Sequence, residues 1–216
     1  MVWRCKKSEL ENHCIKSWKK YCSDYEIIEW NEKTFDVQIN KYCFEAYKNK
    51  KYAFVSDYFR IWVLANYGGI YLDTDVELIR NIDELLNNKA FAGCEDEYLI
   101  ATGLGCGGEK HNHFWKEFLS FYNEDGNLNL TACPVYTTNY LTNKGYKRNN
   151  EIQYLDNITI YPKDYFAPAD FWLQVPMISP NTFSIHHYKA SWITEHFKNT
   201  RTRYKENCRC IFLSPH

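Results

Sequence analysis

One stretch of the chain, Tyr52 to Glu77, restricts the possible fold more than any other. It opens as an aromatic-rich helix, predicted from about Tyr52 to Tyr67, with Asp57 and Arg60 three residues apart and so on one face. Gly68 and Gly69 follow where a left-handed cap is expected to stop that helix. The short apolar run Ile70-Tyr71-Leu72 then predicts a buried strand, which delivers Asp73 and Asp75 at its carboxyl end. Two carboxylates with one residue between them, just after a buried strand, are costly to place unless a cation or a hydrogen-bonding ligand offsets their repulsion. Hard oxygen donors suit Mg²⁺ or Mn²⁺, ions usually held by one or two carboxylates plus substrate phosphates. The pair therefore predicts a metal–diphosphate site.

The chain of 216 residues is long enough for one domain with a substantial core and too short for two of ordinary size. Aromatic residues make up 18%, so rings are available to stack on bases or sugars as well as to fill the core. The net charge of −1 provides no field for nonspecific nucleic-acid binding, and nucleic acid is excluded as the main partner. The 9 cysteines form no repeating framework, and there is neither a signal peptide nor an apolar run of membrane-spanning length. Free thiols in a reducing cytoplasm are expected. Cys208-Arg209-Cys210 lacks the second pair that a zinc site needs.

Outside the central block, a helix capped by Ser8 is predicted to about Tyr21, a strand over Tyr25–Trp30 and a helix from Tyr42 to Lys50. Val76–Ile79 follows the carboxylates, then a short helix near Ile82–Leu86 and a small-residue strand Ala90–Cys94. Leu99 to Gly108 is dense in glycine and reads as turn-prone. Helices are predicted over His113–Tyr122 and Pro134–Leu141, and strands within Glu151–Tyr161 and over Phe183–Tyr188. The alternation argues for an α/β domain.

Ser-Asp-Tyr-x-Arg, a helix, then Tyr-Gly-Gly-Ile-Tyr-Leu-Asp-x-Asp-Val-Glu resembles the sugar-nucleotide signature of small bacterial glycosyltransferases related to yeast initiating mannosyltransferases, the DXD sugar-binding family. The same spacings occur in the glucosylating domain of large clostridial toxins. The resemblance implies a GT-A-like, Rossmann-type nucleotide-sugar-binding fold with a mixed central sheet and the metal site at a strand end. It implies one glycosyltransferase domain over residues 1–216, with a shortened first strand, since only Met1-Val2 precede Trp3 and Arg4-Cys5 replace the expected glycines.

The same resemblance assigns roles. Asp75 is expected to ligate the metal directly, and Asp73 to share the ion or hold the ribose and donor sugar. Arg60 would donate to sugar or phosphate oxygens and Asp57 accept from sugar hydroxyls; the residues alone allow an intrahelical ion pair instead. In His186-His187-Tyr188-Lys189-Ala190-Ser191-Trp192, His187 fits the third ligand better than His186, and adjacent strand residues point to opposite faces, so only one should reach the metal. Ser191 and Trp192 would contact the diphosphate, and Trp3 would stack on the base. The implied activity is retaining hexosyl transfer, dependent on Mn²⁺ or Mg²⁺, from a UDP- or GDP-sugar to a glycan or lipid-linked glycan acceptor. It would take place in the cytoplasm. The basic run His196, Lys198, Arg201, Arg203, Lys205 could touch anionic lipid at the inner membrane face, although a solvated helix face explains it better.

Two other readings stay open. Leu72-Asp73-Thr74-Asp75 resembles the nucleophile strand of aspartate-dependent phosphatases, but Glu77 stands where Thr or Val is needed and no later acidic metal motif follows. A nucleotide-sugar-binding remnant without catalysis is the other.

Overall fold

The computed structural model describes residues 7–31, 33–124, 131–169 and 175–188. The helices are α1 (Glu9–Tyr21), α2 (Lys41–Lys48), α3 (Tyr52–Asn66), α4 (His113–Glu124), α5 (Cys133–Thr142) and the short α6 (Lys163–Phe166). The strands are β1 (Gly69–Tyr71), β2 (Val76–Leu78), β3 (Ala90–Cys94), β4 (Ile100–Gly108), β5 (Gln153–Leu155), β6 (Ile158–Tyr161) and β7 (Ser184–His186). Among the described residues, no helix is long and apolar enough to cross a membrane.

Five strands form one mixed sheet in the order β1-β4-β3-β6-β5, with β3 and β6 parallel and the other neighbours antiparallel. That order makes β1, β3 and β6 run the same way, so their carboxyl ends share one edge of the sheet. A separate antiparallel ribbon pairs β2 with β7. One core cluster joins α2, α3, α4 and α5 to the sheet through Tyr58, Phe59, Ile61, Leu64, Trp115 and Phe118. A second gathers Leu78, Leu85, Phe91, Leu104, Phe166 and Phe183. In α4 the rings Phe114, Phe118 and Tyr122 are buried at four-residue steps along one face, with Trp115 buried beside them, while Phe121 stays partly exposed.

Helix α1 begins as predicted from Ser8: the Ser8 N–H donates to Glu11 Oε2 at 2.6 Å and Glu11 N–H to Ser8 Oγ at 3.4 Å, a capping box. Its other face fastens β2. Trp18 Nε1 donates to the Val76 carbonyl at 2.7 Å, and Leu78 N–H to Ser17 Oγ at 2.9 Å.

Two expectations are corrected. Tyr25–Trp30 is not a strand: among the described residues it has no pairing partner, Ile27 and Ile28 face solvent, and its ends do the packing, Tyr25 on the second core cluster and Trp30 against Phe59, Trp62 and Tyr67. The glycine-dense stretch after Leu99 is no turn but β4, the longest strand, held between β1 and β3. Its glycines are needed for close approach. A Cβ on Gly107 would meet the Phe91 ring at 2.5 Å, and one on Gly108 the Trp115 indole at 2.7 Å. Between Ala101 and Cys106 the register with β3 breaks, and the extra residues Thr102–Gly105 bulge toward β1 and α3.

Candidate metal and donor site

Helix α3 carries Asp57 and Arg60, and both are buried, at 8% and 5% exposure. Arg60 Nη2 donates to Asp57 Oδ1 at 3.1 Å and to Asp73 Oδ1 at 3.3 Å, and Nη1 to Thr102 Oγ1 at 3.4 Å. The guanidinium also lies 4.9 Å from the centre of the Tyr71 ring. Tyr71 donates its hydroxyl to Asp73 Oδ1 at 2.8 Å. One oxygen of Asp73 is thus gripped by two donors from two elements, which fixes the carboxylate rather than leaving it in a solvated turn.

Main-chain bonds set the rest. Asp73 N–H donates to the Gly103 carbonyl in the bulge at 3.0 Å, and Val76 N–H to the Asp73 carbonyl at 3.0 Å, turning the chain so that Asp75 enters the same space. Thr74 Oγ1 donates to Glu11 Oε1 at 3.2 Å, linking the turn to the cap of α1. The ribbon then supplies the third group. His186 pairs in register with Val76, and His187 N–H donates to the Asp75 carbonyl at 3.0 Å.

His186, and not the favoured His187, meets the carboxylates. His186 Nε2 lies 3.5 Å from Asp75 Oδ2, and one ligand atom each from Asp73, Asp75 and His186 fall within 4.8 Å of one another. His187 Nε2 instead meets Glu77 Oε2 at 2.9 Å, and Glu77 Oε1 meets His13 Nε2 at 3.0 Å. Strand alternation separates the two histidines as expected; which one faces inward depends on the register between β2 and β7, which adjacent sequence does not encode. Tyr188 supports His186, its ring 4.2 Å away, and holds a backbone φ of 49°, uncommon for a bulky residue.

The electrostatics follow from burial. Asp57 is pushed up to about 6, because burial outweighs the attraction of Arg60 and Asp73 adds repulsion. For Arg60, burial would lower the pKa, but Asp73, Tyr71 and Asp57 hold it well above its ordinary value and the side chain stays charged. For His186, burial likewise lowers, while Asp75, Asp73 and Glu95 raise the balance above the ordinary histidine range. Two carboxylates and an imidazole in mutual reach suit Mn²⁺ or Mg²⁺, the imidazole favouring Mn²⁺. Among the described residues, the buried His186 Nδ1 has no hydrogen-bond partner. The donor set fits a divalent ion, and binding one would displace the imidazole proton. The cysteines nearby are free and buried: burial pushes Cys14 up to about 12 and Cys133 up to about 11, far from nucleophilic.

Trp3, Ser191 and Trp192 lie outside the described residues, as do the basic run from His196 to Lys205 and Cys208-Arg209-Cys210. Sequence reasoning missed Tyr71, Thr102, Gly103 and the inward His186. Only the glycine density around Gly103 signalled close approach. A Cβ there would stand 2.2 Å from Asp73 Oδ2 and 2.8 Å from Arg60 Nη1. Gly103→Ala is therefore expected to displace both groups, to lower stability by about 1–3 kcal/mol, and to weaken Mn²⁺ binding. Urea unfolding and a Mn²⁺ titration check this; a variant matching wild type in both would mean that the Asp73 carboxylate has room to move.

Residues 8–92, from the cap of α1 through β3, match the family model described as glycosyltransferase sugar-binding region containing DXD motif. The match spans less than half of the chain and contains Asp57, Arg60, Asp73 and Asp75. A search of curated proteins finds no match. Together with the five-stranded mixed sheet, the match defines a mixed α/β, GT-A-like fold with a glycosyltransferase-like sugar-binding region.

Proposed function

We propose that this chain is a metal-dependent glycosyltransferase that moves a hexose from a UDP- or GDP-sugar to a glycan or lipid-linked glycan acceptor, with retention of configuration. The observation that carries this reading is the convergence of Asp73, Asp75 and His186 at the carboxyl edge of the sheet, backed by buried Arg60. In this reading Asp75, Asp73 and His186 hold Mn²⁺ or Mg²⁺, with His186 in the place first given to His187. Such an ion supplies charge neutralisation on the departing diphosphate in place of a general acid. Tyr71 and Arg60 orient Asp73, and Asp57 orients the guanidinium rather than meeting the sugar. Trp3 stacks on the base, and Ser191 and Trp192 contact the diphosphate.

The phosphatase alternative loses ground here. One oxygen of Asp73 is occupied by Tyr71 and Arg60 and the other packs on Gly103, which disfavours in-line attack on phosphorus.

Calorimetric titration of UDP, then GDP, with and without Mn²⁺ tests the reading. One nucleotide is expected to bind, and only with the metal present. Folded protein that binds neither, or binds equally well without metal, would sink it.

A further inference from the structure

Three acids, Glu95, Asp96 and Glu97, follow β3 at the edge where β1 also ends. Two of them have structural work. Asp96 Oδ1 accepts from the N–H groups of Tyr98 and Leu99, both at 2.7 Å, and closes the turn into β4. Glu97 Oε1 pairs with Lys163 at 3.9 Å.

Glu95 is held differently. Its N–H donates to the Leu99 carbonyl at 2.7 Å, and its carbonyl accepts from the Tyr188 hydroxyl at 3.4 Å, so its backbone is tied both to its own turn and to the residue that supports His186. Its carboxylate makes no hydrogen bond or ion pair among the described residues, although the residue is more than half buried. Burial pushes its pKa up, the His186 charge opposes, and Asp96 and Asp73 add repulsion. A half-buried acceptor left open by the described residues calls for a role.

The topology supplies one. Strand β4 separates β1 from β3, and two interstrand spacings put their carboxyl ends about 10 Å apart. Glu95 is outside the ligand group of Asp73, Asp75 and His186. It stands across the gap from them, at the same edge of the sheet. An ionised carboxylate only accepts hydrogen bonds, and a hexose offers it neighbouring hydroxyl donors.

We propose that Glu95 binds the hydroxyls of the transferred sugar and so selects the donor, a role that rests on the glycosyltransferase reading above. It takes no part in holding the nucleotide or the metal. The test compares full-length wild type with Glu95→Ala and the near-isosteric Glu95→Gln, in Mn²⁺, by calorimetry. The probes are UDP and GDP, then UDP-glucose, UDP-galactose, UDP-N-acetylglucosamine and GDP-mannose.

Affinity for the bare nucleotide that wild type binds should change by no more than about twofold in either variant. Affinity for the best sugar nucleotide should fall about tenfold to a hundredfold in Glu95→Ala, and less in Glu95→Gln, which keeps one acceptor. Equal losses on nucleotide and sugar nucleotide, no loss on either, or a wild type that binds nucleotide but no sugar nucleotide would overturn the assignment while leaving the nucleotide site standing. Wild type that binds no nucleotide with Mn²⁺ fells the underlying reading, and this one with it.

Discussion

Asp75→Ala is expected to lower sugar transfer by about a thousandfold or more and to abolish Mn²⁺-dependent nucleotide binding, while leaving the urea unfolding midpoint close to wild type. The two halves have one cause. Asp75 sits 3.5 Å from His186 and offers a carboxylate oxygen within 4.8 Å of Asp73's, so its loss removes a donor from the proposed metal shell. Its loss also relieves repulsion between neighbouring carboxylates, which offsets the lost attraction to His186. Asp73→Ala should behave otherwise. Asp73 is the common acceptor of Tyr71 and Arg60, so removing it strands a buried hydroxyl and takes away one of the two carboxylates that balance a buried cation. Activity and stability should then fall together. Equal unfolding midpoints for the two variants would contradict this division between a ligand and a ligand that is also a structural hub, and full transfer by Asp75→Ala would sink the metal assignment.

That division shows what could be read from the chain and what could not. Asp57, Arg60, the glycine stop, β1 and the paired carboxylates lie in one continuous block, where helix and strand periodicities place each side chain relative to its neighbours. The choice between His186 and His187 depends on pairing between Val76 and His186, far apart in sequence. Strand β4 was misread for a related reason. Its glycines look like turn signals locally, yet each makes room for a distant group: Asp73 at Gly103, Phe91 at Gly107, Trp115 at Gly108. The run Tyr25–Trp30 failed in the opposite direction, with strand-like residues and no edge to pair with. Local pattern gives an element's chemistry; the partner that justifies it is a tertiary fact.

Arg60→Met should cost about 3–5 kcal/mol of stability at neutral pH, the largest loss expected of any single change at the site. The guanidinium is the shared counter-charge of two carboxylates, 3.1 Å from Asp57 and 3.3 Å from Asp73, and methionine keeps much of the stem's packing while removing the charge. The loss should depend on pH with a definite sign. Asp57 in the fold is held near 6, above its ordinary 3.8, so protonation favours the folded state. Its penalty is absent below 3.8, where the carboxyl is protonated folded or unfolded, and grows as pH rises through the folded value. Without Arg60 that folded value moves higher still, because the one attraction lowering it is gone. The difference in stability between wild type and Arg60→Met should therefore widen from pH 5 to pH 7.5. Adding Asp57→Asn should recover at least about 1 kcal/mol at pH 7.5, since the amide has no charge to leave unpaired. Urea unfolding of the four proteins in this cycle, at both pH values, decides the matter. A loss that is the same at pH 5 and 7.5, or one that Asp57→Asn does not relieve, would mean that Arg60 stabilises through packing on Tyr71 and its bond to Thr102 rather than through charge.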